Sequence, residues 1–204
     1  ERFLSPLSFL GVGPLAPVSV STSDDDISWD ISGVWTYSDA TNFFGRIARG
    51  FRAPSIQGRV LFGDVVSVAD SESVLSFEAG IKTDLIENRA RLGFTVFHYE
   101  VEDQQLTAVG GQANFNTLIN ADQTIGQGFE LDVDAYITDA LLVTLGASYN
   151  DTEIDDDSLA IAPCGGGCTV LDPEGPVAGT VLIDGNSLPN APKWITNFTA
   201  RYGI

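Results

Sequence analysis

Hydrophobic and polar residues alternate along most of this chain. The clearest case is the stretch 129–151, FELDVDAYITDALLVTLGASYND. Phe129, Leu131, Val133, Ala135 and Ile137 fall on one side, and Glu130, Asp132, Asp134 and Tyr136 on the other. After a very short turn, Val143, Leu145, Ala147 and Tyr149 alternate with Thr144, Gly146, Ser148 and Asn150. A period of two signals β-strand rather than helix. Ordinary strands run about 5–6 residues. Each arm here keeps its pattern for roughly nine to eleven, the length a tilted strand needs to cross a bilayer.

The pattern recurs. Strands are predicted over 27–37, 42–52, 73–85, 89–103, 124–136, 141–153 and from 193 to the end. The second is the least regular, because Arg49 falls among its apolar positions; close to a membrane surface such a side chain can reach water while its stem stays in hydrocarbon. Residues 1–26, broken by Pro6, Pro14 and Pro17 and ending in STSDDD, read as an extracellular loop or irregular lead-in. The joins near 38–41, 86–88 and 138–140 are tiny. Those at 53–72, 104–123 and 154–192 are long, and 104–123 has room for a short hairpin beyond the main sheet. The expected fold class is therefore all-β, a long antiparallel meander of about seven strands. Alternating short turns and long loops are uncommon in compact soluble domains and usual in outer-membrane barrels. On that reading 27–204 is a partial transmembrane β-barrel, and Glu78, Lys82, Arg91, Glu130, Asp132 and Asp134 face a polar lumen. A soluble sandwich would show the same alternation, with the apolar face in its core.

Composition narrows the choice of partners. The 204 residues carry 28 acids against 10 bases, a net charge of −18, which argues against binding nucleic acid through its phosphates. No run of eighteen apolar residues exists, so a transmembrane helix is not expected. The first residue is Glu, the chain has no Met, and it stops in mid-pattern, which reads as a piece of a longer chain.

Several segments, taken in order, resemble the TonB-dependent outer-membrane receptors, specifically the second half of their barrel. They are ARGFRAPS from Ala48, ESVLSFEAGIKTDL from Glu72 and RARLGFTVFHYEVEDQQ from Arg89. INADQTIGQGFELD from Ile119, ASYNDTEI from Ala147 and LPNAPKWITNFTARY from Leu188 complete the set. The resemblance implies a barrel of twenty-two strands in the outer membrane of a Gram-negative bacterium, around an N-terminal plug, with the long loops extracellular. It implies import of a scarce nutrient, such as an iron–siderophore chelate, cobalamin or a carbohydrate, with energy from the TonB–ExbB–ExbD complex. Membrane lipid and lipopolysaccharide are further expected partners; no cofactor and no enzyme activity are expected. A passive channel and a secreted β-sandwich binding module are the competing readings.

Candidate site residues lie at the loop ends. Arg49 and Arg52 flank the FRAP motif, where they suit an anionic ligand at the mouth of the lumen. Equally, Arg52 can pair with a neighbouring acid while Pro54 fixes the bend into the loop. Asp155, Asp156 and Asp157, with Asp151 and Glu153, open the longest loop. They are candidate ligand contacts and the type of oxygen donor that calcium prefers, but their spacing is not that of an EF-hand. A solvated loop is the simpler reading. Cys164 and Cys168 flank three glycines; in the oxidising setting of an exported protein they are expected to form a disulfide. No metal site is expected. His98 and Glu100 close the fourth strand; since neighbours along a strand point to opposite faces, a rim position is expected rather than an acid–base pair. Trp29, Trp35, Tyr37, Tyr99, Tyr149, Trp194 and Tyr202 suit aromatic girdles, and Gly126 and Gly128 mark a bulge or a close backbone approach. Phosphate-loop, nucleophile-elbow and HExxH motifs are absent from the sequence.

Overall fold

A computed structural model describes residues 19–58, 66–87, 89–110, 115–162 and 171–203. Every regular element among them is a strand. In chain order these are β1 (Trp29–Ser38), β2 (Thr41–Arg52), β3 (Ser55–Gln57), β4 (Ser67–Ala69), β5 (Glu72–Leu85) and β6 (Ala90–Gly110). β7 (Phe115–Tyr136), β8 (Leu141–Asp155), β9 (Ala160–Ile161), β10 (Val181–Leu182) and β11 (Trp194–Tyr202) follow. Seven of them form one antiparallel sheet in the order β1-β2-β5-β6-β7-β8-β11, so each long strand pairs with the next one along the chain. The predicted meander is this sheet.

Register converts the sequence alternation into two faces. One row crosses all seven strands through Trp35, Phe43, Ile81, Phe94, Leu131, Ala147 and Thr196. The adjacent row, whose side chains point the other way, runs Thr36, Asn42, Lys82, Gly93, Asp132, Gly146 and Asn197. Side chains in a strand alternate across the sheet, so an apolar face and a polar face extend across the whole width. The apolar face is not covered: Phe77, Val96 and Leu145 remain about two-fifths exposed and Phe198 about two-thirds.

One end of the sheet has tight turns. Asp39 and Ala40 join β1 to β2. At the next turn Ile86 and Glu87 both take positive φ, 53° and 50°, and the Arg89 N–H donates to the Ile86 carbonyl at 3.0 Å. At the third, the Thr138 hydroxyl accepts from the Leu141 N–H at 3.0 Å, and Arg89 reaches Asp139 at 2.6 Å.

The other end is built up, and here two boundaries change. Residues 104–110 and 115–123, expected as a mixed stretch with room for a short hairpin, are strand and form that hairpin as a continuation of β6 and β7. The pairing of β6 with β7 continues through Gln104↔Ala121 and Leu106↔Ile119 to Gly110↔Phe115. The connection between the two strands is 111–114, so the long join at this point is a strand extension rather than a long loop. Beyond the sheet body both surfaces of the hairpin meet other loop segments, so the apolar/polar alternation that marks a two-solvent sheet fades there. Within 53–72 lie the paired β3 and β4, and within 154–192 the paired β9 and β10. The buried apolar cluster lies at this end: Ala121, Ile154, Val181 and Ile183, with Leu106, Leu159, Ile161 and Leu188 against it.

Candidate functional site

The polar face and the loop end together make the candidate site. Alternation along β2 and β5 brings charged groups onto the polar face, and register joins them. Arg46 pairs with Asp30 and lies 3.7 Å from Glu78. Towards the tight turns, Arg91 meets Asp84 at 2.9 Å and the Thr144 hydroxyl donates to Asp134 at 2.7 Å. Arg91, Asp84 and Asp134, with Lys82 and Asp132, line a recess of about 470 Å³. The Lys82 ammonium sits 5.5 Å from the centre of the Phe44 ring, a cation–π distance. Such a wall offers paired charges and hydrogen-bonding groups, suited to reversible contact with a polar surface.

Nearer the loop end the polar face carries two stacked aromatics, Phe97 and Tyr99, with centroids 6.3 Å apart. Tyr99 lies over Gly126, its register partner, and Phe97 over Gly128. A Cβ on Gly126 would come within 2.1 Å of the Tyr99 ring. These glycines mark a close approach rather than a bulge, since the register runs unbroken through them. On the apolar face the aromatics gather in two groups. Trp35, Tyr37 and Phe43 cluster by the tight turns. Phe129, Tyr149 and Trp194 cluster where β11 begins, with Tyr149 and Trp194 4.9 Å apart.

Arg49 and Arg52 do not converge. They are three residues apart on an unbroken strand, so they point to opposite faces. Arg49 lies opposite Trp29 and Leu75 on the apolar side. There it donates to the Ile27 carbonyl at 3.1 Å and pairs with Asp26 at 2.6 Å. The hydrogen bond from Arg49, helped by that from the Ile27 N–H, holds the Asp26 carboxyl below its ordinary pKa. Arg49 thus ties the lead-in segment to the sheet. Arg52, on the other face, has a mostly exposed side chain 3.5 Å from Glu72.

The acidic run also divides. Asp155 and Asp157 are exposed, whereas Asp156 is 5% exposed. Its carboxylate accepts the Asp122 N–H at 3.0 Å, the Ser158 N–H at 3.1 Å and the Ser158 hydroxyl at 2.9 Å. Burial pushes its pKa up, but these hydrogen bonds outweigh burial and leave it below the ordinary aspartate value. Its own N–H donates to Asp184 at 2.9 Å. Asp156 therefore holds the loop together, its two carboxylate oxygens accepting hydrogen bonds from Asp122 and Ser158. Among the described residues no three His, Cys, Asp or Glu side chains converge as metal ligands. Cys164 and Cys168 lie outside the described residues. The expectation that His98 and Glu100 point to opposite faces is overturned: they are two residues apart, so they share the apolar side, and their side chains lie 3.2 Å apart.

Sequence reasoning missed Gln105 and Asn120, which face each other across the extended hairpin. The Gln105 side chain donates to the carbonyls of Ala53 and Asp70 at 2.8 and 2.9 Å and accepts the Ser55 hydroxyl at 2.5 Å. Asn120 donates to the Asp70 carbonyl at 3.1 Å and accepts the Asp70 N–H at 2.8 Å. Nothing in the linear pattern signals this, because the signal is the register of a hairpin extension.

The comparisons with known proteins bear on the same architecture. A family model described as "TonB dependent receptor-like, beta-barrel" matches residues 7–204. The chain is 26% identical over 135 residues to a probable TonB-dependent siderophore receptor, PiuA, of Acinetobacter baumannii, an alignment covering 66% of this chain and 16% of that protein. It superposes on the ferric yersiniabactin uptake receptor FyuA from Yersinia pestis with a TM-score of 0.59 at 15% identity, over 86% of this chain and 22% of that one. With the solved siderophore receptor PiuA from Acinetobacter baumannii the TM-score is 0.58 at 18% identity, over 93% of this chain and 26% of that one. At these identities the structural likenesses establish the fold. The chain spans less than a third of the length of each of these relatives, and the matched proteins are receptors rather than enzymes. A family match from residue 7 to the last residue, on a meander with one apolar and one polar face, makes this chain a member of the TonB-dependent receptor β-barrel family.

Proposed function

We propose that this chain is part of the barrel wall of an outer-membrane receptor that imports an iron–siderophore chelate. The observation that carries the proposal is the two-faced sheet. An apolar face seven strands wide and uncovered by protein calls for an apolar solvent, and a barrel in a bilayer supplies it while satisfying every backbone group between strands. On this reading the apolar face meets lipid, the polar face lines the lumen against an N-terminal plug, and the built-up end is extracellular, in reach of lipopolysaccharide. TonB–ExbB–ExbD supplies the energy. The names of the similar proteins favour a siderophore over cobalamin or a carbohydrate. Ligand contacts fall to exposed groups of the loop end, Arg52, Asp155 and Asp157. Arg49 is turned away from Arg52, whereas Asp155 falls by register on Arg49's side of the sheet.

Uptake of radiolabelled ferric siderophores, measured in cells with and without the full-length receptor and with and without TonB, tests the proposal. Accumulation of one chelate that requires both is the expected result. Accumulation that persists without TonB would point to a passive channel instead. Failure of every ferric chelate, with uptake of cobalamin or a sugar, would overturn the siderophore assignment.

A further inference from the structure

The 53–71 connection leaves β2 and returns to β5, yet its two feet do not stand apart. β3 and β4 zip them to each other through Ser55↔Ala69, Ile56↔Val68 and Gln57↔Ser67. The zipped pair then lies against β7, where Ala69 is fully buried. Gln57 donates to the Asn116 carbonyl and the Leu118 N–H to the Ser67 hydroxyl, but the side chain that fastens both feet at their base is Gln105, on β6 and 7% exposed. It reaches both feet with one side chain: Ala53 and Ser55 on the outgoing foot, Asp70 on the returning one. Its N–H donates to a Glu72 carboxylate oxygen at 2.6 Å, and the other oxygen of that carboxylate faces Arg52 at 3.5 Å. Both side-chain donors of Gln105 and its acceptor are thus used. The opposite side of the same hairpin is held independently. There Leu106 and Ala121 join the apolar cluster with Ile154 and Ile183, and the Asp122 N–H binds Asp156.

We propose that Gln105 is a latch. It fastens the paired feet of the 53–71 connection to the β6–β7 hairpin, so that the feet detach from the hairpin together or not at all, while the hairpin itself is held up from its other side. A buried amide that donates to two backbone carbonyls is costly to lose, because the Ala53 carbonyl then loses its Gln105 donor and the Asp70 carbonyl is left with Asn120 alone. The latch is independent of which nutrient the receptor carries.

Hydrogen–deuterium exchange of the full-length receptor in membranes tests it, comparing the wild type with Gln105→Ala and with Gln105→Glu. The Glu variant keeps the shape and the acceptor for Ser55 but cannot donate to the two carbonyls. Both variants should exchange about ten-fold faster at 53–57 and at 66–71, the two segments rising together, with 74–85 and 154–161 unchanged. Unchanged exchange at the feet would overturn the latch, as would acceleration of one foot alone. Acceleration spreading through 115–123 and 154–161 would also overturn it, since Gln105 would then be supporting the hairpin rather than fastening the feet.

Discussion

Phe77, in the body of the sheet, is 40% exposed, whereas Ile154, on the loop end of β8, is 3% exposed. Both are large apolar residues on long strands of the same sheet, and the difference separates two regions with different solvents. The body has polar pairs on one face and a bare apolar surface on the other. Its stability depends on what lies outside the protein. The loop end carries its own small core, its buried polar groups are hydrogen-bonded, and it resembles a water-soluble fold in miniature. One chain therefore follows two rules for placing apolar residues, and the change occurs near Asp103 and Asp122, where ladder pairing is interrupted between Glu102↔Gln123 and Gln104↔Ala121.

The sharpest way to break this comparison is to put a charge on the apolar face. Ala79→Arg, in the row of Gly45 and Val96, should cost about 2–4 kcal/mol at mid-bilayer depth. Glu130→Arg, on the polar face, should change stability by less than about 0.5 kcal/mol. Unfolding of the receptor in lipid bilayers by denaturant measures both, and equal costs would mean the two faces see the same solvent. At the loop end the corresponding test is Ile154→Ala. It should cost about 2–3 kcal/mol by opening a cavity among Ala121, Val181 and Ile183. The loss should appear as faster exchange in 154–161 and 181–188, with the sheet body unaltered.

Two smaller effects probe how each region is fitted together. Gly126→Val drives a side chain into the Tyr99 ring. It should cost about 1–2 kcal/mol, read as a lower unfolding temperature of the receptor in detergent. Asp156 gives a pH dependence whose sign is fixed by its lowered pKa. A carboxyl bound more weakly to its proton in the folded state contributes its full stabilisation above the ordinary aspartate value. That contribution falls away as pH drops through the lower folded value. Exchange protection of 154–159 should therefore persist from neutral pH down to the ordinary aspartate range and decline only below it. In Asp156→Asn that decline should vanish.

The division also explains what could be read from the sequence. The body was legible because two solvents force strict alternation, and so seven strands and their tight turns could be placed from periodicity. Even the divergence of Arg49 and Arg52 is present in their odd spacing, and the shared face of His98 and Glu100 in their even one. The loop end was not legible in the same way. Gln105, Asn120 and Asp156 are polar residues in polar stretches, and nothing in their order distinguishes a solvated carboxylate from one that accepts three hydrogen bonds. Their roles come from register between segments about 30 to 50 residues apart, such as Asp156 with Asp122 and Gln105 with Ala53. Cofactor-like motifs leave a local signature; a latch of amides and carbonyls does not.

The smallest expected effect bears on the site itself. Arg49 and Asp26 are each about 30% exposed and form a single ion pair. Exposed pairs contribute about 0.2–1 kcal/mol and weaken with salt. Arg49→Ala should therefore lower stability only slightly, speed exchange at 24–28, and leave ligand affinity within about two-fold, because its guanidinium lies on the apolar side. Arg52→Ala removes an exposed cation on the polar side and should weaken binding of an anionic ferric chelate by about five- to thirty-fold, the range of a 1–2 kcal/mol contact to a charged group. Titration of both variants with the chelate that the receptor imports decides between the faces. A large loss for Arg49 with none for Arg52 would mean that the ligand approaches the apolar side, and the assignment of lipid and lumen to the two faces would have to be reversed.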